Sequence, residues 1–163
     1  MAYLAGFNYV SGPYRMRDSA VSSTATFRAF NPVTLSDDRT LIEAASDTTA
    51  IYGIAMADAA DSLPGIKAGF CPVMIPEPET VFVCGIQTGV ATSATSIGQG
   101  YGLEKAGNHL RLDTDSQATA IVQIVGDSAG NTVNSADSTV FVSFFGNRII
   151  GSSDASITIF AQN

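Results

Sequence analysis

Tryptophan is absent from this sequence, histidine occurs once, cysteine twice, and lysine and arginine together only eight times in 163 residues. Each scarcity closes off a class of function. Two cysteines, Cys71 and Cys84, cannot build a disulfide-dense scaffold or a four-cysteine zinc ribbon. A lone histidine, His109, leaves no multi-histidine metal site and a single imidazole for a nucleophilic triad, and no Gly-x-Ser-x-Gly motif accompanies it. Eight basic residues spread along a chain of net charge −7 do not form the clustered cationic face that phosphate neutralisation requires, so no nucleic-acid partner is expected. No apolar run approaches the about 18 residues of a membrane span, and MAYLAGFNYVSG lacks the basic and apolar regions of a signal peptide. A soluble protein made in the cytosol, with no membrane partner, is the expectation.

What is present is apolar and small. Hydrophobic residues make up 45% of the chain and charged residues 14%, against about 25% charged in an average soluble protein. The length suits one domain with a real core. Charge is uneven: residues 1–30 hold three arginines against one aspartate, so the remaining 133 residues carry five basic and fourteen acidic groups, a net −9.

Short β-branched and aromatic stretches dominate, at 25–35, 40–45, 50–57, 69–75, 80–86, 100–106, 109–113, 119–126, 139–146 and 156–162, separated by turn-forming clusters. No window keeps an apolar 3.6-residue period with caps. The expected fold is all-β, a compact barrel or sandwich of short antiparallel strands over 25–163, with an extended N-terminal arm over 1–24. Residues 128–138 read as an exposed loop and 90–100 as a flexible crossing between two halves of the β domain. Turn residues centred on Glu77-Pro78 predict a hairpin that sets Ile75 opposite Thr80, Val73 opposite Phe82 and Cys71 opposite Cys84. Cross-strand cysteines are within bridging range, but a reducing cytosol favours free thiols packed as small hydrophobes. Pro72, lacking an amide donor, suggests an edge strand or a bulge.

The stretch SIGQGYGLEKAGNHLRLDTD, residues 96–115, offers the most openings for chemistry. A phosphate loop needs a strand before it, a helix after it, and a Gly-Lys-Ser/Thr or GxGxxG pattern, none of which is here. Asp113 and Asp115 are spaced like the start of a calcium loop, yet the third ligand, central glycine and closing glutamate are missing. Gly107-Asn108 instead fits a tight hairpin turn that accounts for the whole stretch, with His109 a polar residue beside it. Asp58 and Asp61 resemble a carboxylate pair, but aspartates at this spacing commonly bond their own backbone in turns. No catalytic residue, metal or cofactor is assigned, and an enzyme is not expected.

The stretch FRAFNPVTLSDDRTLIEAASDTTAIYGIAMADAAD carries a Pro-Val-x-Leu strand, an acidic turn, a strand, and hydrophobic-x-Gly-Ile-Ala-x-x-Asp-Ala. Downstream, IGQGYGLEKAGNHLRLDTDSQATAIVQIVGD carries Gly-x-x-Tyr-Gly-Leu, a turn, a strand, Asp and a Val/Ile-rich strand, followed by VFVSFFG. Over about residues 27–146 this order resembles the small capsid decoration, or cement, proteins of tailed bacteriophages. The resemblance implies a β module without chemistry that binds the outer surface of an icosahedral head, usually as a homotrimer, and clamps neighbouring subunits of the major capsid protein. It further implies an N-terminal arm. Here Tyr3, Phe7, Tyr9, Tyr14, Arg15 and Arg17 supply the aromatics and arginines enriched in interface anchors, so the arm is expected to carry capsid or subunit contacts. Low charge suits a protein that buries much of its surface, and a trimer gains from avidity. Two alternatives belong to other classes. A trimeric nucleotide triphosphatase would need a catalytic Asp in a Gly-rich motif and a basic C-terminal motif, and GSSDASITIFAQN has no Arg or Lys. A virion-surface receptor- or carbohydrate-binding module would display aromatic platforms on its loops, and 128–138 has none.

Overall fold

Among the described residues, eleven strands are arranged in two antiparallel sheets. The computed structural model describes residues 6–86, 98–114, 118–127 and 139–150. The strands are β1 (Phe7–Ser11), β2 (Tyr14–Ala20), β3 (Pro32–Leu35), β4 (Leu41–Glu43), β5 (Gly53–Ala55), β6 (Phe70–Pro76), β7 (Val81–Gly85), β8 (Gly100–Ala106), β9 (His109–Asp113), β10 (Val122–Asp127) and β11 (Thr139–Phe144). One sheet has six strands in the order β1-β7-β11-β10-β8-β9, the other five in the order β2-β6-β5-β3-β4. The all-β expectation holds. The strand expected at 156–162, the loop at 128–138 and most of the crossing at 90–100 lie outside the described residues.

Alternation places the core. In β9 every second side chain is buried, Leu110 and Leu112, as a sheet with one covered face requires; β11 starts the same way with Val140 and Val142 and ends with Ser143 and Phe144 both buried. Phe7, Phe82 and Phe144 meet with ring centroids 5.4 Å apart for Phe7 and Phe144 and 5.8 Å for Phe82 and Phe144. Edge-to-face and tilted rings at this spacing add to the burial of their area.

The N-terminal residues depart from the expected arm. Residues 7–20 are two strands: β1 pairs with β7, Phe7 opposite Cys84, and β2 pairs with β6 along its whole length. Phe7 is fully buried. The expected β6–β7 hairpin is also corrected, because β6 and β7 lie in different sheets. The turn itself is where the proline and acidic residues put it, with Thr80 N–H donating to the Glu77 carbonyl at 3.0 Å and Glu77 N–H to Thr80 Oγ1 at 2.8 Å. Beyond it the chain turns a corner instead of folding back on itself. The Ser11–Pro13 link turns the same corner beside it, and the buried Thr80 hydroxyl donates to the Pro13 carbonyl. Gly12, at φ +99°, is required there: a Cβ would sit 2.6 Å from the Glu79 carbonyl oxygen.

Two consequences follow for side chains singled out earlier. Cys71 lies opposite Ser19, and Cys84 opposite Phe7 and Val140, so the cysteines are not neighbours; both are free and buried. Pro72 is not on an edge strand, since β6 runs between β2 and β5. It is tolerated because β5 ends at Ala55, and the Pro72 carbonyl accepts the Met56 N–H at 3.0 Å while no amide is needed there.

The β8–β9 hairpin forms at Gly107-Asn108, Ala106 opposite His109 across a two-residue turn, with the positive φ carried by Gly107 alone, at +65°. Asn31, fully buried, ties this hairpin to the other sheet. Its amide donates to the Asn108 carbonyl at 2.8 Å and its side-chain oxygen accepts the Leu110 N–H at 3.1 Å.

Candidate functional site

The aspartates and the histidine do not converge on a reaction centre. Asp58 and Asp61 close a turn, with Asp61 N–H donating to the Asp58 carbonyl at 3.0 Å and Asp58 N–H to Asp61 Oδ2 at 3.2 Å. Asp58 also receives the Ala29 N–H at 2.7 Å and the Arg28 guanidinium at 2.9 Å, which hold its carboxyl below the usual range. Asp58 and Arg28 border an open depression of about 340 Å³ that also holds Lys105, itself 2.5 Å from Glu43. Each cation in that depression is matched by a carboxylate, so it presents no net charge to a ligand. Among the described residues no three His, Cys, Asp or Glu side chains are placed to hold a metal ion. Asp113 ends β9, and Asp115 lies outside the described residues. Burial pushes the thiols of Cys71 and Cys84 up, which keeps them protonated and poor nucleophiles.

A different surface stands out on the N-terminal strands. Tyr9, Tyr14, Met16 and Phe30 are large apolar residues left 42%, 44%, 50% and 39% exposed. Tyr9 meets Tyr14 edge-on at 5.0 Å and Phe82 at 6.4 Å, while its hydroxyl donates to the Gly12 carbonyl at 2.8 Å. Tyr9 and Phe30 flank a narrow apolar cleft of about 50 Å³ floored by Phe7, Met56, Met74 and Phe82. Met16 lies opposite Met74 across the β2–β6 ladder, which continues the strip from the cleft along β2.

Local backbone geometry keeps this strip in place. Phe30 adopts φ +69°, a conformation that a bulky side chain rarely accepts, at a strain of about 1–3 kcal/mol. Both of its backbone polar groups are used: its N–H donates to the Ala55 carbonyl at 2.7 Å and its carbonyl accepts the Phe7 N–H at 2.8 Å. The strained residue thus joins the start of β1 to the end of β5 and turns its ring outward.

Compared with models of known protein families and with curated proteins, the chain matches none.

Of the residues assigned to the arm from sequence, Tyr9 and Tyr14 are on this surface, Arg15 and Arg17 are exposed beside it on β2, Phe7 belongs to the core, and Tyr3 lies outside the described residues. Arg15 and Arg17 share one face of β2, and Tyr14 and Met16 the other, because side chains alternate along a strand. Half-exposed Arg15 is 3.5 Å from Glu77. Met16 and Phe30 were missed. The Tyr-Arg-Met-Arg alternation carried the signal for Met16, whereas the exposure of Phe30 follows from a backbone conformation that its sequence neighbourhood does not announce.

Proposed function

We propose that this protein is a non-enzymatic capsid decoration protein that binds the outer surface of an icosahedral phage head, clamps neighbouring subunits of the major capsid protein, and acts as a homotrimer in the virion. The observation that carries the reading is the strip of Tyr9, Tyr14, Met16 and Phe30 beside Arg15 and Arg17. Aromatic, Met and Arg side chains are the types that dominate interface energetics, and an exposed apolar cluster of this kind marks a contact surface. The residue order over about 27–146, which resembles decoration proteins, supplies the identity of the partner. A protein that binds the assembled shell better than free subunits stabilises the shell by mass action, and three linked copies multiply the effect.

The test is occupancy on purified empty heads, measured by electron microscopy and by sedimentation. Wild-type protein should decorate the outer surface as trimers. Tyr14→Ser with Met16→Ser should lower affinity more than about tenfold, since anchors of this type are each worth about 2 kcal/mol when truncated. Their effect on the melting temperature should be small, because both side chains are exposed. Wild-type protein that leaves the shells bare, or decorates them as a dimer or tetramer, refutes the reading.

A further inference from the structure

We propose that the open edge of β2 is a strand-addition site for an extended partner segment in which acidic residues alternate with apolar ones. The proposal takes from the reading above only where the partner is found, on the capsid; the partner's chemistry comes from β2 itself.

The backbone of β2 is available. β2 is the terminal strand of its sheet, and Tyr14 to Asp18 are exposed throughout. Residues facing each other across an antiparallel pair alternate between hydrogen-bonded and non-hydrogen-bonded positions. Pro72, opposite Asp18, has no N–H and gives its carbonyl to Met56 on the β5 side. The hydrogen-bonded positions between β2 and β6 are therefore Arg15 with Ile75, Arg17 with Val73 and Ser19 with Cys71. The Val21 N–H, donating to the Gly69 carbonyl at 2.8 Å, continues the same parity. The N–H and C=O groups of Met16 and Asp18 point the other way, to the open edge, as a ready ladder for another strand.

The side chains then select what can be added. An incoming strand meets Arg15 and Arg17 on one face and Tyr14 and Met16 on the other. Arg28, Lys105 and Arg111 are each neutralised by a carboxylate, at 2.9, 2.5 and 2.6 Å, whereas Arg17 forms no ion pair among the described residues. Arg15 already meets Glu77, and its half-exposed side chain stands on the same face of β2 as Arg17. Carboxylates at alternate positions of the partner match these two arginines, and the apolar residues between them cover Tyr14 and Met16.

A second copy of β2 is a poor occupant. In a two-fold antiparallel pair of identical strands, residues of the same parity face each other, so the arginines at 15 and 17 of one strand would line up with those of the other. Like charges directly opposite are destabilising, and charged edge residues are a known guard against such pairing.

The experiment uses the full chain and a labelled peptide, Glu-Val-Glu-Phe-Glu-Val-Glu, with a version carrying Lys in place of every Glu as its counterpart. Fluorescence anisotropy should show the acidic peptide binding, more weakly as salt rises, and the basic one failing to bind. Hydrogen exchange at the Met16 and Asp18 amides should slow on binding. Arg17→Glu should weaken binding about tenfold or more. Met16→Pro, which removes an N–H that the β6 pairing does not use, should abolish it. Equal binding of the two peptides, no binding at millimolar concentration, or insensitivity to both variants overturns the assignment, as does a homodimer that Met16→Pro dissociates. The two proposals fail separately. Peptide binding with bare shells refutes the capsid reading and leaves the edge assignment intact, whereas shells decorated equally by wild type and Arg17→Glu refute the edge assignment alone.

Discussion

The β1–β2 ribbon and the β8–β9 hairpin are both built from period-2 sequence around a Gly-containing turn, yet they do opposite things. In the hairpin the two strands pair with each other, and Leu103, Leu110 and Leu112 are buried. In the ribbon the two strands never pair; β1 joins one sheet, β2 the other, and Tyr9 to Asp18 stay exposed on both faces. The hairpin can be understood from its own residues. The ribbon makes sense only against β6 and β7, which turn the same corner beside it. Its first residue closes the core and its later ones stay exposed, so one segment both holds the sheets together and carries the exposed apolar strip.

The largest expected effect breaks the ribbon. Phe7→Ala removes a fully buried ring that packs on Phe144, and should lower unfolding free energy by about 3–5 kcal/mol in denaturant titrations. Deleting residues 2–20 should do more and abolish the cooperative transition, because β6 and β7 each lose a paired strand. If the truncated chain melts like the full one, the ribbon is an arm after all. A smaller loss tests how the hairpin docks. Asn31→Ala leaves the buried Leu110 N–H and the partly buried Asn108 carbonyl without their partner, a loss of about 2–3 kcal/mol, and should leave peptide and shell binding unchanged at temperatures where the variant is folded.

The smallest effect is read in pH. The carboxyl of Asp58 is held below its ordinary value of 3.8 by the Ala29 N–H first and the Arg28 guanidinium second. A carboxylate depressed in the folded state contributes stability that is complete above the unfolded value and is lost as pH falls through the folded one. Asp58→Asn should therefore reduce stability slightly near neutrality and remove part of the loss seen below about pH 4. Parallel stability curves for the two proteins across that range would show that the Asp58 contacts contribute nothing.

Much of the fold was legible because its signals are local. Strands β3 to β11 coincide with stretches recognised by β-branched and aromatic content, β6 and β10 each running one residue past theirs, although at 25–35 only Pro32–Leu35 is a strand. The segment before it instead buries Phe27 in irregular chain. The candidate surface was half legible. Tyr9, Tyr14, Arg15 and Arg17, singled out by their types, are exposed, but Phe7 has the same type and is core. Composition cannot separate an aromatic that fills a sheet-to-sheet gap from one that borders it.

Period-2 alternation and turn chemistry were enough to determine an all-β chain, the β8–β9 register at Gly107-Asn108, and the direction change at Glu77–Thr80. Tertiary structure alone decided that β6 and β7 enter different sheets, that Cys71 and Cys84 part company, and that β2 ends as an open edge. The reason is physical. Alternation tells which side chains of a strand share a face, but every strand carries the same ladder of N–H and C=O groups along both edges. Which strand answers that ladder depends on corners and packing contributed by residues far away in the chain.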